Sequence, residues 1–393
     1  GYQGSSIVCP ECGCDAKFVG YRVCQITTLL GSAIYERAYY HCAACHHGHF
    51  PTDADFRIAD HQTLGASEVI SLMGLLEPFD EGAHKTLPRV TGLNVSASTV
   101  QRTTEAAGTD VAERRESGET FAEDEVWDWH QDVTGRKVAY VELDATGVRQ
   151  QGPHAERAEG RMPWVGVVFN PMPMDPQRRD RRRRQHAESR CVSGLMRLEE
   201  IGRQLRDECK SVGLQHADVV IGLSDGGNGL ENCLMNVVSG MAKEIVFILD
   251  FWHASEHLQE FANIFIPDEV ARTKQVELWC DHLKEYGGLS LVQQLEAIDM
   301  TDRSPEVTEQ YQLLMNYLRS NQHRMDYPDY LRNGWQIGSG KIESSCKNIV
   351  GARLKCSGMR WRSHGTTALC QLRALYKSEP KIWTLYWQTF AKT

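Results

Sequence analysis

At 393 residues, with 41% hydrophobic and 24% charged content, the chain has a globular composition, enough for several domains, and intrinsic disorder is excluded. No apolar run approaches the roughly 20 residues of a bilayer span, and "GYQGSSIVCPECG" lacks the basic and apolar regions of a secretory signal. A net charge of -9 argues against a protein that only coats nucleic acid, and thirteen cysteines without such a signal lead us to expect a reducing, cytoplasmic setting.

Two cysteine pairs come first along the chain. Cys9 and Cys12 stand in "CPECG", and Cys42 and Cys45 in "CAACHHG". Two residues between thiolates let both sulfurs of a tight turn reach one ion, and two such knuckles complete a closed tetrahedral zinc site. The alternating stretches between them, "KFVGYRVCQIT" and "GSAIYERAYYHC", predict strands, so residues 1–60 read as a zinc ribbon with one structural Zn(II). Cys14, Cys24, His41, His46, His47 and His49 are possible substitute ligands.

Residues 61–115 change to a helical pattern. "ASEVISLMGLLEPF" has apolar residues at three- and four-residue intervals, and Ser96 and Ser98 are candidate N-caps of a later helix. With "HKTLPRVTGLNVS" as the turn, this predicts a helix-turn-helix whose Ser98, Gln101 and Arg102 face DNA; a plain helical bundle is the alternative.

An α/β pattern follows over 116–254. Strands are predicted in "KVAYVEL", "MPWVGVVF", "SRCVSG", "ADVVIGL" and "EIVFILD", with helices over "LMRLEEIGRQLRDECKSVG" and from about Leu230 to Met241. Three strands, then helix, strand, helix, strand, is the order of a ribonuclease-H-like sheet. Residues 255–335 read as a helical insertion, and 336–393 as a return to the α/β domain through further helices.

Strand ends in such a sheet share one crevice. Asp144 and Asp225 both end predicted strands, each followed by small residues, "ATG" and "GGNG". Glu343 follows a glycine-rich loop in "GSGKIESS". Each acid alone is explained by a turn, a cap or a solvated surface. Together they form a hard-oxygen set suited to Mg(II) or Mn(II), and a two-ion site can stabilise the attacking and leaving oxygens of a phosphoryl displacement.

Cations cluster in two places. The run Arg178 to Arg184 includes Arg181, Arg182 and Arg183, and reads as a phosphate grip or a solvated loop. From Lys341 onward ten basic residues face two acidic ones, and Arg353, Lys355, Arg360 and Arg362 surround Trp361, a pattern suited to DNA backbone contact. Trp252, Trp335 and Trp361 are candidates for base stacking, with core packing as the alternative.

The chain resembles, over nearly its whole length, the DDE-type transposases of bacterial insertion sequences, close to the zinc-ribbon-headed ISKra type and akin to the Mutator-like group. The resemblance rests on "CPECG" with "CAACHHG", "ELDATGV", "LSDGGNG", "DFWHASEHL" and "GSGKIESS". It implies that Asp144, Asp225 and Glu343 bind two catalytic ions, with Asp144 bridging, and that Asp250 and His253 form a C/D-x-x-H signature. The chain departs from the pattern at "DAT", where "DGT" is expected. The implied activity is cleavage of double-stranded DNA at transposon ends and strand transfer to target DNA, by a homodimer. A DNA-binding regulator without catalysis, or a nuclease without strand transfer, are the alternatives.

Overall fold

The computed structural model describes residues 1–122, 125–171, 188–227, 229–379 and 381–389. These form a mixed α/β chain of two compact units: residues 1–110 with the helix Trp383–Thr389, and residues 111–382. No described helix is long and apolar enough to cross a membrane.

In the first unit, β1 (Ser6–Val8) pairs with β2 (Asp15–Thr28), which forms a long antiparallel hairpin with β3 (Gly31–Cys42). Alternation decides its faces: Ala16, Cys24 and Ile26 are buried, while Val19, Tyr21 and Val23 are exposed. The short strands β4 (Gly48–His49), β5 (Ile58–Ala59) and β6 (Gln62–Thr63), with the helical turn α1 (Pro51–Asp55), complete this mixed sheet.

Helices α2 (Leu64–Leu76), α3 (Phe79–Glu81), α4 (Leu87–Val90) and α5 (Ala97–Glu116) follow. Ile70, Ala83, Leu87, Leu93 and Val100 form their core. The segment expected as a turn from His84 onward is helical as far as Val90: a π-helical turn, Gly82–Thr86, runs into α4 with Thr86 itself in helical conformation, so Pro88 lies within a helical stretch. The reversal is confined to 91–96, with Gly92 at φ +77°. Ser96, of the two cap candidates, caps α5: its Oγ accepts the Thr99 N–H at 3.1 Å.

The second unit is built on a five-stranded sheet. Its strands are β7 (Val138–Ala145), β10 (Trp164–Phe169), β11 (Ser189–Gly194), β12 (Val219–Ser224) and β13 (Glu244–Leu249), and a separate hairpin of β8 (Val148–Gln151) and β9 (Arg157–Arg161) leaves the end of β7. The order is β11-β10-β7-β12-β13. β10 is antiparallel to both neighbours, whereas β7, β12 and β13 run parallel.

Pleating divides β7 between two layers. Ala139, Val141 and Leu143 join Ile201 and Leu205 of α6 (Leu198–Ser211) and Leu234 and Val237 of α7 (Leu230–Val238) in one core. Each buried aliphatic side chain contributes about 1.5–3 kcal/mol relative to exposure. Tyr140, Glu142 and Asp144 therefore point to the opposite layer.

Helices start directly after β13, at Phe251 rather than 255. They are α8 (Phe251–Phe265), α9 (Glu269–Glu296), α10 (Pro305–Asn321) and α11 (Tyr327–Arg332). Asp250, Asp268 and Ser304 cap the first three through their side chains. Tyr327 anchors the block by donating from its hydroxyl to the Leu249 carbonyl at 2.9 Å. Beyond it, α12 (Gly340–Ser345), α13 (Ala352–Leu354) and α14 (Ser363–Lys377) return to the sheet, α12 against β7 and β10, and α14 against β11.

Candidate functional site

Cys9, Cys12, Cys42 and Cys45 converge as the sequence spacing requires, their sulfurs all within 4.8 Å of one another. Cys9 and Cys45 are 3.6 Å apart, as are Cys12 and Cys42. A tetrahedron of sulfurs about 2.3 Å from a zinc ion has edges of about 3.8 Å, close to the two measured pairs, so the four thiols suit such an ion. Backbone N–H groups of Cys45 and Ala44 pull the Cys42 thiol down to about 7 against its burial, whereas Cys12 and Cys45, despite their backbone hydrogen bonds, are held above the usual thiol range by burial and the neighbouring thiols. His49 brings Nε2 to 3.1 Å from the Cys9 sulfur, beside the ligand set. Among the described residues this is the only group of three or more Cys, His, Asp or Glu side chains so closely gathered.

The acids of the second unit are arranged differently. The register pairs Leu223 of β12 with Glu142 of β7, which brings Asp144 and Asp225 to the same end of adjacent parallel strands. Asp144 is held above the usual aspartate range, first by burial and then by the negative charge of Asp225. Asp225 closes a tight turn, its Oδ1 accepting the Gly227 N–H at 2.8 Å. Gly226 has φ +88°, and a Cβ there would lie 2.9 Å from Leu249, so the glycines after Asp225 are a backbone requirement. The Tyr317 hydroxyl of α10 donates to the Asp225 carbonyl at 3.0 Å.

The segment that carries Glu343 is held by a ladder along one face of β7. The Gln336 N–H donates to the Tyr140 hydroxyl at 2.7 Å, and the Ile342 N–H to Glu142 Oε2 at 2.7 Å. The Cys346 sulfur lies 3.8 Å from Asp144 Oδ2. Three successive inward residues of β7 thus hold the segment 336–346, and the exposed Glu343 stands one helical turn before Cys346. Asp144, Asp225 and Glu343, expected to meet in one crevice, do not gather as closely as the four cysteines do. Glu142 is fully buried, and burial pushes its carboxyl up to about 8.

Asp250 is a structural pin. Its carboxylate accepts the Trp252 N–H at 3.0 Å, the Ser339 N–H at 3.2 Å and the Ser339 hydroxyl at 2.6 Å, while Ser339 Oγ is 3.1 Å from Glu343 Oε1. His253 is partly exposed, with Nδ1 3.3 Å from Glu256. The His257 ring packs beside it, held below the usual histidine range by burial and by His253.

The expected DNA contacts divide. Ser98, Gln101 and Arg102 are exposed on the first turns of α5, with Gln101 bonded to Glu105 and Arg102 to Asp60. Lys355, Arg360 and Arg362 are exposed. Arg353 is not: it is 1% exposed and lies over the Trp361 ring, 5.0 Å from its centroid, which removes it from the surface set. Trp335 and Trp361 are buried, whereas Trp252 is 61% exposed. Arg181, Arg182 and Arg183 lie outside the described residues.

Sequence reasoning missed Glu142, Ser339, Tyr317 and Cys346. Only Glu142 carried a signal, as the one charged residue inside the apolar run "VAYVEL". No protein-family model matches the sequence, and no curated protein matches it significantly.

Proposed function

We propose that this chain is a DNA transposase of the DDE type, whose second unit is a ribonuclease-H-like catalytic core. The observation that carries the reading is the placement of Asp144 and Asp225 at neighbouring parallel strand ends, with Glu343 carried along the same strand face. The strand order, with the second strand alone reversed, supports the ribonuclease-H-like reading.

Asp144 and Asp225 repel one another, and a divalent cation relieves that repulsion. Their hard carboxylate oxygens suit Mg(II) or Mn(II), which when bound supply the Lewis acidity for phosphodiester displacement. Asp144, Asp225 and Glu343 would hold such ions between them, with Glu343 brought in from the segment 336–346. Asp225 is oriented by Gly227 and Tyr317, and Glu343 by the bonds at Tyr140 and Glu142. Ser339 couples Glu343 to Asp250. The four-cysteine cluster holds one structural Zn(II) and α5 presents Ser98, Gln101 and Arg102 to DNA.

The test uses Asp225→Asn in the full chain with Mg(II) or Mn(II) and DNA carrying the element's ends. Cleaved and joined products from wild type, with DNA binding retained and both products lost in the variant, are expected. Equal products from both proteins would remove Asp225 from the chemistry. Cleavage without joined product would make the protein a nuclease, and binding without either would make it a regulator.

A further inference from the structure

The hairpin β8–β9 is not a free loop. Val148 pairs with Arg161, Gln150 with Ala158 and Gln151 with Arg157. A third chain joins from far along the sequence: the Trp361 N–H donates to the Arg149 carbonyl at 3.1 Å, and the Gln151 N–H to the Trp361 carbonyl at 2.8 Å. Trp361 is 7% exposed, its Nε1 donating to the Leu354 carbonyl at 3.0 Å, so the indole is a keel and not a stacking platform. Gln150 fastens the underside through Thr366 at 3.1 Å.

This three-chain ribbon is rich in exposed cations. Arg149, Arg157, Arg161, Lys355, Arg360 and Arg362 are all exposed, against Glu156 and Glu159. None of the six has a carboxylate partner among the described residues. Elsewhere in this unit several exposed cations are paired, Arg197 with Glu200 at 2.8 Å, Lys243 with Asp218 at 2.8 Å and Arg319 with Glu296 at 2.7 Å, whereas the exposed cations without a carboxylate partner, such as Arg203, Lys274 and Arg303, stand far apart in the sequence. In a chain with 52 acidic and 43 basic residues, five such cations on one ribbon, with Lys355 beside it, suit a polyanion from outside. The ribbon also abuts the acids. β8 begins three residues after Ala145, and Lys355 donates to Thr146, two residues beyond Asp144.

We infer that the β8–β9–Trp361 ribbon is a phosphate track that binds the backbone of duplex DNA and feeds it toward Asp144 and Asp225. This rests on the transposase reading for its ligand, and adds a surface of defined residues. Its contacts are to phosphates, so affinity changes with salt and little with sequence.

The test compares full-length wild type, a triple Arg149→Gln, Arg157→Gln, Arg161→Gln variant and a double Arg360→Gln, Arg362→Gln variant. Binding to a mixed-sequence linear duplex is measured across a salt series, with thermal unfolding as the control for folding. Each lost phosphate contact lowers the slope of log K against log salt by about 0.9, so the triple variant should lose about 2–3 and the double about 1–2. Wild-type slopes from folded variants would overturn the inference. The transposase reading is judged separately by the metal-dependent products of wild type and Asp225→Asn: an unchanged slope with those products lost in Asp225→Asn rejects the ribbon alone, and a reduced slope with no products from wild type rejects the catalytic reading alone.

Discussion

The Ile342 N–H donates to the buried carboxyl of Glu142 across 2.7 Å, tying the strand that ends in Asp144 to the helical turn that carries Glu343. Glu142 therefore controls where Glu343 stands without itself reaching the crevice. Glu142→Gln preserves volume and an acceptor, and should leave Tm near wild type. Glu142→Ala strands the Ile342 N–H and opens a cavity, at a cost of about 2–5 kcal/mol. The Ala variant should show faster amide exchange at Ile342 in hydrogen-exchange measurements. Equal exchange in wild type and Ala variant would deny Glu142 this role.

Metal at the four-cysteine cluster should hold up the ribbon. Its core consists of Cys9, Ala16, Ala38, Tyr40 and Cys42, two of which are ligands, so little apolar packing remains without an ion. Elemental analysis of pure protein should find one zinc per chain at this site. Cys9→Ser or Cys42→Ser should lose it and expose the β2–β3 hairpin to limited proteolysis. Binding free energy at such sites is about 10–16 kcal/mol at neutral pH, far more than the hairpin's own packing supplies. Full protease resistance after chelation would show the hairpin to be self-sufficient.

Asp132 supplies a pH-dependent part of the second unit's stability. Burial alone would raise its pKa, but hydrogen bonds from Thr134, Arg136 and Trp335 outweigh that and hold it below the usual aspartate range. A depressed acid stabilises the fold above its unfolded pKa, and the contribution is lost as pH falls through the lower folded value. Asp132→Asn should therefore cost about 1–3 kcal/mol at pH 7, with the deficit shrinking at pH 2–3. Denaturant titrations at both pH values check this, and a deficit that does not shrink would assign the loss to packing.

Much of the candidate site is legible in the sequence. Strand endings at Asp144 and Asp225 are marked by apolar runs that stop abruptly, and the cysteine pairs by their spacing. Other features depend on contacts that no local pattern encodes. The stretch through Pro88 reads as a turn with Gly92, yet it is helical as far as Val90, the proline being preceded by a π-helical turn that no local pattern marks. Arg353 looks like its exposed neighbours Lys355 and Arg360, and only the Trp361 ring beneath it marks it as buried. The β8–β9 ribbon has weak alternation, and its third chain arrives from Trp361, far beyond any window used for periodicity.

The ladder from Tyr140 to Asp144 also sets an order of assembly. All five sheet strands can associate once Leu249 has been synthesised, yet one face of the central strand waits for 336–346. A nascent or prematurely terminated chain ending before Gln336 would present Tyr140 and the Glu142 carboxyl to water. Such a fragment retains strands with an uncovered layer, the kind of species that aggregates or is taken by chaperones and proteases. Translation would thus have to pass the third acid before this layer is sealed, so the cell would clear incomplete copies of the protein by proteostasis.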